Sequence, residues 1–377
     1  MQTTGDQQLL KRINRSVLLR LIQQQSGLSR ARLAAHSGLT KSTVSALVRE
    51  LLDEQWLVEA SSPVTGDALG RPSTPLQLNA GGRVLIGIEV AVECLRMVCV
   101  SLAGEVLSEH EVPLQSPDPQ AVCAQATGLL QPLCADLAAR KITISGVGLC
   151  LPGAVHDSTG LVHFAPNLGW RKLDFLGLVS AAFAAAGIAC GKVHVQNDAD
   201  AAALGEYEFG IGDKDDPLIF INCDVGVGAG IVLNDRLFTG ARGAAGEIGH
   251  TILQIDGPLC SCGRHGCAEA FIGARAIKGA ADVARAGQYL GVLIQNLDAL
   301  FNPKTVVIGG KICAEHPGLL EQAQATVAQY TRQSGMPMTE IRAARYGLQA
   351  PAVGAAALVL HRFLRPLSQG ASHVFGD

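Results

Sequence analysis

The chain has 377 residues, of which 48% are hydrophobic and only 4% aromatic, with 43 glycines. This length accommodates two or three domains with cores of their own, and the composition excludes a disordered chain. The net charge of −3 conceals an asymmetry, since residues 1–80 hold nine Lys/Arg and six Asp/Glu. From Gln7 to Arg49 there are eight basic residues and no acidic one. The basic N-terminal segment is therefore expected to meet a polyanion.

The N-terminus is polar, and no uninterrupted apolar stretch reaches the length of a membrane span. We therefore predict a cytoplasmic protein. Disulfides are rare in that reducing compartment. Eight of the 11 cysteines lie in apolar or strand-like surroundings and are interpreted as small core residues: Cys94, Cys99, Cys123, Cys134, Cys150, Cys190, Cys223 and Cys313.

Three short helices are predicted near the N-terminus. The first is Arg15–Gln24, and the second is Arg30–Ser37 with Ser29 as its expected N-cap. Thr40 is the expected cap of the third, Lys41–Glu54. Its apolar residues follow the i, i+3, i+4, i+7, i+8 spacing of a buried helix face: Val44, Leu47, Val48, Leu51 and Leu52.

The opposite face of the third helix is polar and basic. Short polar and basic side chains suit base edges and phosphates at groove distance. The pattern indicates a helix-turn-helix with the third helix as recognition helix. A plain three-helix bundle on the surface of an enzyme is the alternative, and the acid-free stretch argues against it. The predicted DNA contacts in this unit are Arg30, Lys41, Ser42, Thr43, Ser45 and Arg49.

Two strand-like segments, Trp56–Glu59 and Pro75–Asn79, flank a tip rich in glycine and proline. This arrangement predicts a wing beside the helix-turn-helix. Arg71 lies at the edge of the tip, where its guanidinium is placed to enter a narrow minor groove. The alternative for Arg71 is a solvated loop residue.

After a head of residues 1–80, the chain is predicted to form two α/β lobes, 81–205 and 206–377, with a C-terminal helix able to return to the first lobe. Each lobe opens on a β-meander, the first with "RVLIGIEV" and the second with "PLIFINCDVGVGAGIVLNDRLF". This is the organisation of the actin-like sugar kinases, with a cleft between the lobes. By pattern alone, any doubly wound α/β protein competes with that interpretation.

Two motifs make the interpretation specific. "EIGHTILQIDGPLCSCGRHGCAE", residues 247–269, resembles the signature of the ROK family (repressors, open reading frames and kinases), E-x-G-H followed by C-x-C-G-x-x-G-C-x-E. "NDADAAALGE", Asn197–Glu206, resembles the N-D-A-N-A-A-A-x-G-E stretch of that family. The resemblance covers roughly residues 84–365. The winged head extends it to the repressor branch.

The first motif supplies three thiols and one imidazole, from Cys260, Cys262, Cys267 and His250. A Cys3His set is a usual four-coordinate structural zinc site, in which no position remains open for catalysis. We therefore expect a structural Zn²⁺ that fixes the loop presenting Glu247, His250 and Glu269. Three unligated surface thiols are the alternative.

The resemblance also implies a sugar site. Its predicted ligands are Asn197, Asp198, Glu247, His250 and Glu269, the aspartate being the general base in the kinases of the family. Carboxylates and amides suit a ring of hydroxyl groups because each accepts several hydrogen bonds. Two further candidates, Gly153 and Asn167, lie in loops expected at the cleft, and each could equally be a turn residue.

The sequence departs from the kinases of the family at both phosphate loops. The kinase pattern D-x-G-G-T is replaced by Glu89-Val90-Ala91-Val92-Glu93. The second loop, normally G-T-G-V-G, begins with Asp224. Side chains and acids in both loops oppose the approach of ATP phosphates to the backbone. We therefore predict loss of ATP binding, with Asp198 retained as a sugar ligand rather than a base.

These observations favour a DNA-binding repressor of carbohydrate genes that binds operator DNA as a homodimer or homotetramer. A sugar in the cleft is expected to shift the lobes and so alter operator binding. Two alternatives remain open: a bifunctional sugar kinase with a DNA-binding head, and a regulator controlled by a sugar-transport protein. The effector is left open among pentoses, glucose and N-acetylhexosamines.

Overall fold

The computed structural model describes residues 7–60, 74–210, 215–241, 243–335 and 337–366. The predicted wing tip with Arg71 lies outside these residues. The secondary structure is mixed α/β, with a small N-terminal head followed by a body built on two five-stranded sheets.

The head contains three helices and a two-stranded antiparallel sheet: α1 Gln7–Gln24, α2 Arg30–Ser37, α3 Lys41–Asp53, β1 Leu57–Glu59 and β2 Leu76–Leu78. The side chains of Ser29 and Thr40 cap α2 and α3 as predicted. Helix α1 begins eight residues before its predicted start at Arg15. Its polar first turns are held by a tertiary ion pair between Lys11 and Glu50 of α3 (2.8 Å), which periodicity does not reveal.

The first lobe is built on a mixed sheet of order β10-β6-β3-β4-β5, in which β3, β4 and β5 form the predicted antiparallel meander and β6 and β10 run parallel to β3. Helices α4 and α5 cover its outer face. The bounds are β3 Arg83–Val90, β4 Cys94–Ser101, β5 Val106–Pro113, α4 Pro119–Ala139, β6 Thr143–Leu151, α5 Phe175–Ala185 and β10 Lys192–Asn197.

A small antiparallel sheet, which was not predicted from the sequence, lies between β6 and α5. It consists of β7 Ala154–Val155, β8 Leu161–Ala165 and β9 Trp170–Asp174. These strands were missed because two to five residues around Gly- and Pro-containing turns give no usable periodicity. The sheet matters for function because it carries cleft residues of the first lobe.

The second lobe has the sheet order β13-β12-β11-β14-β15, with an antiparallel meander and two parallel strands. Helices α8 and α10 pack on one face of this sheet. The bounds are α6 Asp198–Glu208, β11 Leu218–Cys223, β12 Val227–Leu233, β13 Arg236–Leu237, α7 Glu269–Ile272, α8 Ala280–Phe301, β14 Thr305–Gly309, α9 Lys311–Glu315, α10 Gly318–Ser334 and β15 Glu340–Ala343.

The last helix, α11 Ala350–Leu364, packs against the first sheet and against α6. Glycines allow backbone contact here: a Cβ on Gly87 of β3 would lie 1.8 Å from the Ala352 carbonyl oxygen. The segment Gly347–Leu364 is long and apolar enough to cross a membrane, but 78% of it is buried inside the protein, as in a core helix. The domain limits stay a prediction, and the limit at residue 205 falls inside α6.

Candidate functional site

The exposed face of α3 presents the predicted DNA contacts. Lys41, Ser42, Ser45 and Arg49 are exposed, whereas the apolar stripe of the same helix is buried in the head. The Thr43 hydroxyl is 2.8 Å from the Thr40 hydroxyl, so it also supports the helix cap. This face is polar and basic at the N-terminal half of the helix, as groove contact requires.

Ion pairs inside the head determine which of its basic side chains are available to contact DNA. Arg30 of α2 pairs with Glu59 of β1 at 2.9 Å, so this predicted contact is tied to the wing. On α3, in contrast, neither Lys41 nor Arg49 is paired with a carboxylate of the described residues. Arg49 and Lys41 are therefore the cations of α3 best placed to meet phosphate.

The predicted sugar site begins at the end of β10, where Asn197 caps α6. Its side-chain oxygen accepts a hydrogen bond from the Asp200 amide at 3.0 Å, and its side-chain nitrogen donates to the Gly153 carbonyl at 3.0 Å. Gly153 has φ +153°, and a Cβ there would lie 2.5 Å from the Phe164 carbonyl oxygen. Asn197 thus joins the β6–β7 loop to the start of α6, and Gly153 lets β8 approach it.

Asp198 is the first residue of α6, beside Asn197. Its carboxylate accepts from the Ala199 amide at 2.9 Å and from the Asn222 side chain of β11 at 3.4 Å. Burial raises the pKa of Asp198 to about 6, and the charges of Asp224 and Glu247 add to this effect. The carboxylate is therefore a partly desolvated acceptor between the lobes, where a hydroxyl donor would replace lost hydration.

A cavity of about 480 Å³ lies between the small sheet of the first lobe and the E-x-G-H loop of the second. Glu247 and His250 line it as predicted, and Cys262 also reaches it. Asn167 lies exposed in the β8–β9 turn and is not among the lining residues. The sequence interpretation missed three lining residues: Phe164, which lies outside the two quoted motifs, and Thr251 and Arg264, which occupy variable positions of the 247–269 motif.

The four predicted metal ligands converge. The ligand atoms of His250, Cys260, Cys262 and Cys267 all lie within 4.8 Å of one another. The Cys262 and Cys267 sulfurs are 3.7 Å apart, and His250 Nδ1 is 3.7 Å from the Cys260 sulfur. A tetrahedron with metal–sulfur bonds of about 2.3 Å has edges of about 3.8 Å. The donor set and the spacing therefore fit one tetrahedral, thiophilic metal ion.

The metal-ligand loop also positions three of the predicted sugar ligands. His250 turns Nδ1 toward Cys260 and Nε2 toward Glu247, whose carboxylate is 3.9 Å away. Glu269, at the start of α7, accepts hydrogen bonds from the Ser261 hydroxyl at 2.5 Å and the Cys260 thiol at 3.6 Å. The loop therefore fixes the orientation of Glu247, His250 and Glu269 together.

The two altered phosphate loops meet across the cleft. Glu93, in the β3–β4 turn of the first lobe, forms an ion pair with Lys311 of the second lobe, at 3.2 Å. Burial raises the pKa of Glu89 to about 7, although the Arg96 guanidinium 2.5 Å away opposes this rise. Burial also raises the pKa of Asp224 in the second loop. Glu89, Glu93 and Asp224 thus lie close enough for their charges to interact.

The fold and the site define a class: a winged helix-turn-helix joined to a two-lobed α/β body with carboxylates and an imidazole at its cleft. The profile of the ROK family matches residues 85–286 and 277–362, and that of winged helix-turn-helix DNA-binding domains matches residues 12–58. The chain belongs to the ROK family. The predicted fold and family are thereby confirmed.

The relatives of this chain include transcriptional regulators and a sugar kinase. The xylose repressor of Bacillus subtilis is 27% identical over 385 residues, covering 96% of this chain and 98% of that protein. A crystal structure of a ROK family transcriptional regulator, a homologue of the Escherichia coli MLC protein, superposes with a TM-score of 0.77 at 25% identity, covering 94% and 97% of the two chains. The glucokinase of Halalkalibacterium halodurans is 29% identical, covering 74% of this chain and 95% of its own length.

Proposed function

We propose that this protein is a sugar-responsive repressor that binds operator DNA through its winged head and carries its effector site in the interlobe cleft. One observation carries the proposal: a single chain joins an exposed basic recognition helix to a cleft cavity lined by Glu247 and His250, with Asp198 close enough for its charge to interact with that of Glu247. The repressors among its relatives, which are matched over the head as well as the body, support this assignment.

The proposal is tested with the full-length protein and DNA sites enriched by it from a random library. Operator affinity is measured by fluorescence anisotropy with and without xylose, glucose, N-acetylglucosamine and their phosphates. We expect nanomolar binding to an inverted repeat and a change of at least about fivefold with one sugar. If no sugar alters operator affinity, the proposal that the protein responds to a sugar is wrong. A regulator controlled by a protein partner would then be the better description.

In this proposal the cleft binds sugar without phosphorylating it. The Glu93–Lys311 ion pair spans the lobes where the two phosphate loops meet, and Glu89 and Asp224 add acids beside it. A polyphosphate would have to break that pair and approach these carboxylates. Like charges in a partly desolvated cleft are unfavourable, which supports a sensor rather than a kinase.

Zinc is the metal proposed for the Cys3His cluster, because a thiolate-rich tetrahedral set suits it. When bound, zinc would hold the loop closed, and His250, Cys260, Cys262 and Cys267 would be its ligands. The protein is further proposed to act in the cytoplasm as a homodimer or homotetramer, since winged heads read inverted repeats in pairs.

Arg49→Ala is predicted to weaken operator binding about tenfold, because one exposed cation of α3 no longer meets phosphate or base. If Arg49 contacts phosphate, the slope of log affinity against log salt should fall by about one. Arg140→Ala, which removes an exposed arginine of α4 in the body, is the matched control and should leave affinity unchanged. Equal effects of the two substitutions would argue against recognition by α3.

Phe164→Ala is predicted to weaken sugar binding about tenfold while leaving operator affinity without sugar unchanged. Phe164 is 39% exposed on β8 and is the aromatic residue lining the cleft cavity. Its ring offers an apolar surface to the C–H face of a sugar held by the carboxylates opposite. Isothermal titration calorimetry measures the loss, and Phe164→Leu should retain more affinity. An unchanged sugar affinity in Phe164→Ala would place the effector elsewhere in the cleft.

A further inference from the structure

Helix α6 links the sugar site to the far side of the body. Asp198 is its first residue and Glu208 its last, so the helix spans about 15 Å between them. It packs on α11 in backbone contact, since a Cβ on Gly354 would lie 1.9 Å from the Ala201 carbonyl oxygen. Closely packed helices of this kind move together. A displacement at Asp198 is therefore carried to the C-terminal ends of both helices.

The head is attached at those same ends. The Trp56 ring of the head stacks on Phe363 of α11, with centroids 4.1 Å apart. The Gln23 side chain of α1 donates to the Glu208 carbonyl at 2.9 Å. The Glu208 carboxylate in turn contacts His361 of α11 at 2.7 Å. The buried core of the head is continuous with that of α6 and α11.

The turn between β12 and β13 of the second lobe also reaches the head. Asp235 in this turn forms an ion pair with Arg20 of α1, at 2.8 Å. The same carboxylate accepts a hydrogen bond from the Tyr207 hydroxyl of α6 at 2.7 Å and pairs with Arg365, which follows α11. Asp235 thus touches the head, α6 and the residue after α11 at one point.

We infer that the Asp235–Arg20 ion pair couples lobe rotation to the position of the DNA-binding head. This inference rests on the proposed function. Rotation of the second lobe moves the β12–β13 turn relative to α11, which packs on the first sheet, whereas Trp56 holds the head to α11. The geometry of the Asp235–Arg20 ion pair therefore differs between the open and the closed cleft. An effector that binds one of these states more tightly changes the position of the head through this ion pair.

Asp235→Asn tests the inference with little strain, since Asp235 has φ +62° and asparagine tolerates that conformation. Operator affinity is measured with and without a saturating effector sugar found in the test above. For the wild-type protein, the ratio of these two operator affinities should be about 5- to 150-fold. In Asp235→Asn the ratio should fall at least fivefold, while sugar and operator still bind. Arg20→Lys, which keeps the charge, should retain most of the ratio.

Asp136→Asn removes an exposed ion pair on α4 and should leave the ratio unchanged. If wild type responds to sugar and Asp235→Asn responds equally, this inference is overturned and the proposed function stands. If wild type itself shows no sugar response, the proposed function fails, and the inference fails with it. If Asp235→Asn melts earlier than wild type by more than a few degrees, Arg20→Gln tests the same pair from the head, and an unaltered ratio there overturns the inference.

Discussion

Cys267→Ser should abolish zinc binding and with it sugar binding. The Cys267 side chain is buried, and its sulfur lies 3.7 Å from that of Cys262 in the metal-ligand cluster. Because structural metal binding contributes directly to folding free energy, loss of one thiolate should release the loop that positions Glu247, His250 and Glu269. We expect under about 0.1 zinc per chain after dialysis and at least about 100-fold weaker sugar binding, by the same principle.

Metal content is measured by atomic absorption and sugar affinity by calorimetry. Cys313→Ser is the matched control, since this half-buried thiol lies outside the cluster and should leave one zinc per chain. Operator binding without sugar should survive in Cys267→Ser, because no hydrogen bond or ion pair among the described residues joins the head to the metal-ligand loop. A Cys267→Ser protein that keeps both zinc and full sugar affinity would refute the proposed role of the cluster.

Asp198→Asn should produce a repressor that binds its operator but responds only to much higher concentrations of sugar. The carboxylate of Asp198 is the charged acceptor at the start of α6, and a hydrogen bond to a charged group contributes about 1.5–3 kcal/mol. Its removal should therefore weaken sugar binding by about 10- to 150-fold. The effect on operator affinity without sugar should be small.

The pH dependence of sugar binding provides a second readout of Asp198. Its pKa is raised to about 6 by burial and by the nearby charges of Asp224 and Glu247, so the carboxylate is ionised above that pH. Sugar affinity should fall as the pH drops through 6, because the protonated acid is a weaker acceptor. Asp198→Asn should lack this component, while any loss shared by both proteins belongs to other groups. An identical pH profile in both would exclude Asp198 as the group responsible.

The sequence was sufficient to predict features that depend on local chemistry. The caps Ser29 and Thr40, the apolar stripe of α3 and the first meander all follow from periodicity and side-chain hydrogen bonding over a few residues. The Cys3His set was predictable because its spacing is specific to a metal-binding loop, and the structure brings the four ligand atoms together.

Features that depend on tertiary contacts were not predictable. The first turns of α1 are polar and are held by α3, and strands β7–β9 are too short to show alternation. Phe164 was not predicted as a site residue because the cavity that it lines forms only when the two lobes come together. The same is true of Asp235, whose partners Arg20 and Arg365 are more than 100 residues away in the sequence.

Calorimetric titration of the zinc-replete protein with the sugar panel, with and without ATP and magnesium, tests the central claim most directly. Coupled detection of ADP in the same samples separates sensing from phosphorylation. An ATP-independent sensor should bind one sugar with the same affinity in both conditions and form no ADP. Sugar-dependent ADP formation would contradict the account, because it would mean that the loops of Glu93 and Asp224 still admit the phosphates of ATP.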